Sequence, residues 1–368
     1  MTADGRSLDR LSGLGGIIGL YAGCVAIALA IAGLLVEATG GSASEVFAAM
    51  IDGSIQGPGR IGATVGVATP LLLVAVGTIV STRAGLVNLG QEGQLYLGAA
   101  FGAYAGTKLG IAGPMVLLLV LGCSVVGGAL WAGVAGLLRY RRNVPEVLTT
   151  LLLVTVAAQL VGYGLKNQWL LLAPSEGRAN RQQISQQLDA ATRIPRITWF
   201  GNEFPISAFA AVFAAASVAA ILAWTVWGLR LRMLGFNPRT AKRAGVSEER
   251  YGGLALLASG GFAGLAGGVM LAGGDFGNYT LVPGFPVMIG WTGLLVALVA
   301  RQRASAAVIT AIVFAGLRTG SGFLAATGVE RRITNVVQGL LVLALLLPPA
   351  LLVLQQRRRA MQAGGDRR

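Results

Sequence analysis

The chain has 368 residues, 54% of them hydrophobic and 12% charged, with a formal net charge of +14 and a mean hydropathy of +0.69. Soluble domains carry about 25% charged residues, so this composition excludes an ordinary soluble globule and points to a polytopic membrane protein. The basic residues sit in short loops and at the C-terminus rather than in a stripe interleaved with aromatics, which argues against a nucleic-acid partner. The absence of histidine removes the commonest general base and metal ligand.

Ten membrane segments can be drawn in chain order: 13–35, 61–80, 92–111, 114–138, 146–165, 205–229, 252–273, 285–300, 304–320 and 334–354. The first run is too long for a secretory h-region, and its flank is charge-balanced by Asp4, Arg6, Asp9 and Arg10. It reads as a retained anchor. Cys24 and Cys123 lie inside apolar runs and are expected as packed, reduced thiols. With the N-terminus in the cytoplasm, most arginines fall inside. They include Arg139, Arg141 and Arg142, the basic 230–251 loop, and Arg357, Arg358 and Arg359. The expected fold is therefore all-α, a polytopic membrane protein with about ten transmembrane helices and both termini cytoplasmic. Residues 1–12 form the cytoplasmic N-terminus, 13–354 the transmembrane domain and 355–368 a basic cytoplasmic tail. The polar 166–204 loop is expected outside and partly ordered.

The segment Arg83-Ala-Gly-Leu-Val-Asn-Leu-Gly-Gln-Glu-Gly-Gln-Leu-Tyr-Leu-Gly98 places Asn88, Gln91, Glu92 and Gln94 on glycine-rich backbone between apolar runs. Dehydrating such groups costs several kcal/mol unless protein or water satisfies them. Glycines at 85, 90, 93 and 98 permit broken or re-entrant backbone, which survives in a bilayer only when packed in protein or lining a watery path. Two readings of Asn88, Glu92 and Gln94 stand: they line or gate a translocation path, or they form a hydrogen-bond knot that fixes a bent helix. Glu92 could also pair with Arg83.

Pro145 opens the next helix. Glu146, Thr149 and Thr150 follow at i, i+3 and i+4 on one face. They either face the same path or cap the helix entrance, the threonines bonding back to carbonyls. Later, Phe276, Tyr279, Phe285 and Trp291 flank glycine-rich backbone near an external end. Their rings can stack on a base or sugar, or belong to an interfacial aromatic belt.

The 230–251 loop contains a short-helix grammar: Asn237 as N-cap, Pro238 at the first position, Arg239, Ala241, Arg243 and Ala244 within, and Gly245 as stop. Two turns cannot span a bilayer. The element is either a docking helix for a cytoplasmic protein or an interfacial helix on lipid headgroups. Ser247 caps the helix that follows, with Glu248 and Glu249 in its first turn. Gly260, Gly264 and Gly268 are small-xxx-small steps that predict close helix packing. No G-x-x-x-x-G-K-[ST] occurs, so the chain has no phosphate loop of its own. Predicted spans hold almost no carboxylates, which leaves an ion-coupled secondary transporter of a small polar solute poorly supported. A membrane-embedded enzyme fares no better. A pore subunit driven by a separate ATPase fits the docking helix.

Together these motifs resemble a known family, the branched-chain amino acid, ribose and nucleoside permeases of ATP-binding-cassette importers, on their nucleoside and simple-sugar branch. The resemblance rests on Arg83 to Gln94, close to R-A-G-[LI]-[FV]-N-[IL]-G-x-E-G-Q, and on Glu146-Val-Leu-Thr-Thr150. It rests also on Gly235-Phe-Asn-Pro-Arg-Thr-Ala-Lys-Arg-Ala-Gly245 and on Ser259-Gly-Gly-Phe-Ala-Gly-Leu-Ala-Gly-Gly268. It implies a transmembrane permease without catalytic residues, metal or cofactor, whose Gly235–Gly245 element is the coupling helix. ATP would be bound by a partner ATPase. A second, homologous permease would complete the pore as a heterodimer, and an extracytoplasmic solute-binding lipoprotein would deliver nucleosides or simple sugars at the bacterial inner membrane. The chain departs from the pattern at Val154 and Thr155, where the nucleoside-type members carry an Asn-Tyr pair, and at 290–300.

Overall fold

The computed structural model describes residues 3–38, 40–109, 115–174, 183–285 and 288–323, and positions 336, 339, 340, 343, 344, 347, 348 and 351. The tenth predicted segment, 334–354, falls largely outside the described residues, and the basic tail, 355–368, wholly outside. The chain divides into two compact units, residues 1–60 with 316–368 and residues 61–315.

In the first unit, α1 (Ala3–Ala38) runs to a turn at Gly40 and Gly41. A second helix, α2 (Ala43–Ile51), follows and ends in a π turn, Asp52–Gln56. Sequence reading missed α2, although Ser42 caps it by accepting from Glu45 N at 3.4 Å. Ala28, Ala32 and Val36, each four residues on, pack against Val46 and Met50 of α2 and against Ala344.

The second unit begins with α3 (Arg60–Arg83) and α4 (Gln91–Lys108), followed by α5 (Met115–Arg142) and α6 (Glu146–Gly164). A two-stranded hairpin comes next, β1 (Arg196–Trp199) with β2 (Asn202–Pro205). Then come α7 (Ile206–Trp224), α8 (Val226–Phe236), α9 (Pro238–Arg243) and α10 (Glu248–Gly273). The short α11 (Ile289–Val299) precedes α12 (Ala304–Phe323), which runs on into the first unit. Among the described residues six helices are long and apolar enough to cross a membrane: α3, α5, α6, α7, α10 and α12.

Three expectations change. The 205–229 span is two helices, because Thr225 is extended (φ −105°, ψ 156°) and its hydroxyl caps α8 by accepting from Gly228 N at 3.2 Å. The 285–300 segment is only an 11-residue helix, roughly 16 Å long, too short to span. The fold is helical as expected, but the polar loop before α7 carries a short hairpin that was not anticipated: β1 pairs antiparallel with β2 across Phe200 and Gly201. Both turn residues have positive φ (47° and 71°), as two-residue hairpin turns require.

The core of this unit is the crossing of α4, α5 and α10. Gly128 of α5 and Gly264 of α10 lie backbone to backbone, and Gly98 of α4 meets the same Gly264. Gly260 packs on Gly128 and Gly268 on Ser124, so the small-xxx-small steps face their neighbours as the spacing predicted. Cys24 and Cys123 are free, half-buried thiols.

Candidate functional site

The polar residues of the 83–98 stretch gather around a helix interruption. After Arg83 the chain turns, Gly85 holding φ +77° against Gly235. It then runs back inward as non-helical backbone, so that Gln91 lies beside Val74 and Thr78 of α3. Non-helical backbone inside a bundle must find partners for each N–H. Here the neighbouring polar side chains supply most of them. Leu86 N donates to Ser81 O at 3.0 Å. Val87 N donates to Glu146 Oε1 at 3.4 Å, and Leu89 N to Thr150 Oγ1 at 3.2 Å. Gly90 N donates to Asn88 Oδ1 at 3.0 Å.

Behind this strand lies a knot of amides and hydroxyls. Asn88 and Gln94 exchange amide bonds, Nδ2 to Oε1 at 2.8 Å and Nε2 to Oδ1 at 3.0 Å. Ser259 Oγ of α10 accepts from Asn88 Nδ2 at 3.0 Å and from Gln91 Nε2 at 3.2 Å. Thr78 Oγ1 donates to Gln91 Oε1 at 2.9 Å. Asn88, Gln91, Gln94, Thr78 and Ser259 are all essentially solvent-free. Ser259 lies roughly 16 Å along α10 from its first residue, at 1.5 Å per residue. The knot therefore sits well inside the bundle. A network satisfied to this degree is rigid and fixes one packing.

Glu92 serves a second interruption. Its Oε1 accepts from Met288 N at 2.8 Å and its Oε2 from Gly290 N at 2.6 Å. These are orphan donors at the start of α11, and a carboxylate there also meets the positive end of the helix dipole. Gly290 is required by space, since a Cβ would strike the Glu92 backbone. Arg83 turns elsewhere and donates from Nη2 to Gln302 O at 3.0 Å. Trp291, half-buried, follows in the first turn of α11.

At the α6 entrance no side chain bonds the N-terminal N–H groups, but the threonines do bond back to a carbonyl. Thr150 Oγ1 donates to Glu146 O at 2.7 Å, and Thr149 Oγ1 to Glu146 O at 3.1 Å. Asn88, Glu92, Gln94, Glu146, Thr149 and Thr150 thus form one neighbourhood.

Phe276 and Tyr279 stand apart from it, past the far end of α10. Phe285 is fully buried, and Tyr279 lies under the Arg193 guanidinium, 4.1 Å from the ring centroid. No ring-to-ring contact joins Phe276, Tyr279, Phe285 and Trp291 among the described residues. The loop between α6 and α7 docks on this end. Leu188 N donates to Tyr279 O at 3.0 Å, and Arg196 Nη2 reaches Asp275 Oδ1 at 2.5 Å. Burial lowers the Arg196 pKa, but the hydrogen bond and charge of Asp275 outweigh it and hold the guanidinium above its ordinary value.

The 235–245 element is the helix its sequence predicted. Asn237 Oδ1 accepts from Arg239 N at 3.0 Å and Thr240 N at 3.2 Å, and Gly245 closes with φ +78°. Ala241 is buried, whereas Phe236, Asn237, Pro238, Arg239, Thr240, Lys242, Arg243 and Ala244 are exposed. Gly235 packs against the Arg83 carbonyl, which ties the element to the turn at Gly85. Sequence reasoning missed Thr78 and the Met288–Gly290 backbone. Ser259 had been noted only as the head of a glycine motif.

Residues 60–346 match the family model for the branched-chain amino acid transport system / permease component. A glucose ABC transporter permease of Haloferax volcanii is 31% identical over 291 residues, 76% of this chain and 74% of the relative. A guanosine ABC transporter permease of Bacillus subtilis is 28% identical over 320 residues, 87% and 90% of the two chains. A second guanosine ABC transporter permease of Bacillus subtilis is 28% identical over 224 residues, 56% and 65%. No solved structure matches.

Proposed function

The chain belongs to the branched-chain amino acid transport system permease family, and from that membership we propose that it forms the translocation path of an ATP-binding-cassette importer for nucleosides or simple sugars. It is a multi-pass membrane protein. Relatives that transport guanosine and glucose support the substrate class. Two guanosine permeases in one organism support a pore of two different permease chains. In this reading the multi-pass permease domain, 13–354, crosses the bacterial cytoplasmic membrane, and both termini and the 355–368 tail lie in the cytoplasm. The chain holds no cofactor; ATP is bound by a cytoplasmic ATPase, and an extracytoplasmic lipoprotein delivers the solute. Asn88, Glu92, Gln94, Glu146, Thr149, Thr150 and Trp291 border the path by shaping its two interrupted helices. Phe276 and Tyr279 stand at its outer end.

The observation that carries the proposal is α9. It is a rigidly capped two-turn helix with an exposed basic face, too short to span and fixed by Gly235 to the re-entrant turn. Such an element suits a partner that pushes on it. Because Ala241 faces the fold, the docking test belongs at Arg243. Co-expression with an ATP-binding-cassette ATPase encoded in the same operon should give a complex that copurifies. Arg243→Glu should release the ATPase while the permease stays inserted. An ATPase that remains bound to the variant at wild-type stoichiometry would count against the docking role.

A further inference from the structure

Three helix ends that no motif connects meet at one arginine. Arg139, in the last turn of α5, contacts Glu146 Oε2 through Nη1 and Glu248 Oε1 through Nη2, the latter at 3.2 Å. Glu146 opens α6 and Glu248 opens α10, so each carboxylate stands at the positive end of its helix and the arginine at the negative end of its own. The Arg139 side chain is 27% exposed, Glu146 9% and Glu248 43%. Glu146 spends its other oxygen on Val87 N of the re-entrant strand, at 3.4 Å. Glu248 follows α9 by only a short turn through Gly245 and the N-cap Ser247. One charge therefore bridges the helix after α9 to the backbone that leads into the Asn88 knot. Beside the bridge lies a polar cavity of about 320 Å³, lined by Arg139, Tyr140, Asn143, Val144, Pro145 and Glu248.

We propose that Arg139 is a positioning residue that transmits displacement of α9 and the start of α10, through Glu146, to the 86–90 strand. This rests on the reading of α9 as the ATPase-docking helix. The two limbs differ in kind. The Arg139–Glu146 contact is largely buried and holds the α6 entrance to the strand. The Arg139–Glu248 contact is half in solvent and contributes little to stability. Cutting the outer limb should leave the fold intact and separate ATP hydrolysis from movement of solute.

The experiment uses the complete importer in proteoliposomes, with ATP hydrolysis and uptake of radiolabelled guanosine and glucose measured on the same preparation. Glu248→Gln cuts only the outer limb, Arg139→Gln cuts both, and Arg139→Lys can keep one partner at a time. Coupling residues of this kind change coupling by about 2- to 30-fold. Glu248→Gln should therefore raise ATP consumed per solute imported by about 2- to 30-fold, with hydrolysis and assembly near wild type; Arg139→Gln should raise the ratio at least as far, with less complex assembled because it strands the buried Glu146. Arg139→Lys should fall between. A wild-type ratio in Glu248→Gln overturns the proposal, and so does a parallel loss of hydrolysis and uptake in both Gln variants. If the wild-type chain binds no ATPase at all, the docking reading fails instead, which is a separate and visible result.

Discussion

Glu92→Gln isolates what the carboxylate does for α11. In the native protein both oxygens accept backbone N–H groups, Met288 at 2.8 Å and Gly290 at 2.6 Å, and the residue is 4% exposed. A glutamine has the same shape but offers one acceptor; its amide nitrogen would face the other N–H, donor against donor. Losing one charge-assisted bond and the helix-dipole attraction amounts to about 2–4 kcal/mol. Since 1.4 kcal/mol is tenfold, local opening at the start of α11 should rise by about 30- to 700-fold. Hydrogen–deuterium exchange of the 288–292 amides in nanodiscs reads this directly, with the α10 amides as internal control. Unchanged exchange at 288–292 in a folded variant would refute the capping argument. If uptake were lost at the same time, Glu92 would be a solute ligand rather than a cap.

Three further outcomes follow from the same geometry. Gly264→Ala drives a Cβ into the Ser124 and Gly128 backbone and should cost about 1–3 kcal/mol or more, whereas Gly122→Ala, with open space around it, should be neutral or stabilising; melting curves of the two purified variants should separate clearly. Thr150→Val keeps the volume but strips Leu89 N of its acceptor, an expected loss of about 1–3 kcal/mol, and equal thermal stability would show that water replaces the hydroxyl. Asn237→Ala removes two N-cap bonds from α9 and should cost about 0.5–2 kcal/mol, seen as faster proteolysis or amide exchange across 238–243, while Asn237→Asp retains the cap.

The polar residues of the re-entrant stretch were legible because their burial is costly wherever it occurs, so Asn88, Glu92 and Gln94 had to be paired with something. Their partners were less legible. Ser259 is 171 residues from Asn88, and Thr78 is a hydroxyl on an apolar helix, unmarked by hydropathy or spacing. Glu92 accepts from the backbone N–H groups of Met288 and Gly290, and backbone carries no residue identity. Local chemistry was read well: Asn237, Gly245 and Ser247 do cap and stop their helices. Length was read poorly. Trp224 and Val226 are apolar, and the break between them at Thr225 shows only as a hydroxyl bonded to Gly228 N. The hairpin did leave a trace, β-branched and aromatic residues on either side of Gly201, hidden inside a loop judged by its polarity.

The most direct measurement is solute entry into proteoliposomes that contain the chain with its proposed permease partner, ATPase and binding lipoprotein. Labelled guanosine or glucose should enter only with binding protein outside and ATP sealed inside, on the ATPase side; complexes in the opposite orientation should expel preloaded label when binding protein is inside and ATP outside. Ionophores should not abolish entry. Uptake by the permease alone, driven by a proton or sodium gradient without any ATPase, would contradict the account and identify an ion-coupled carrier.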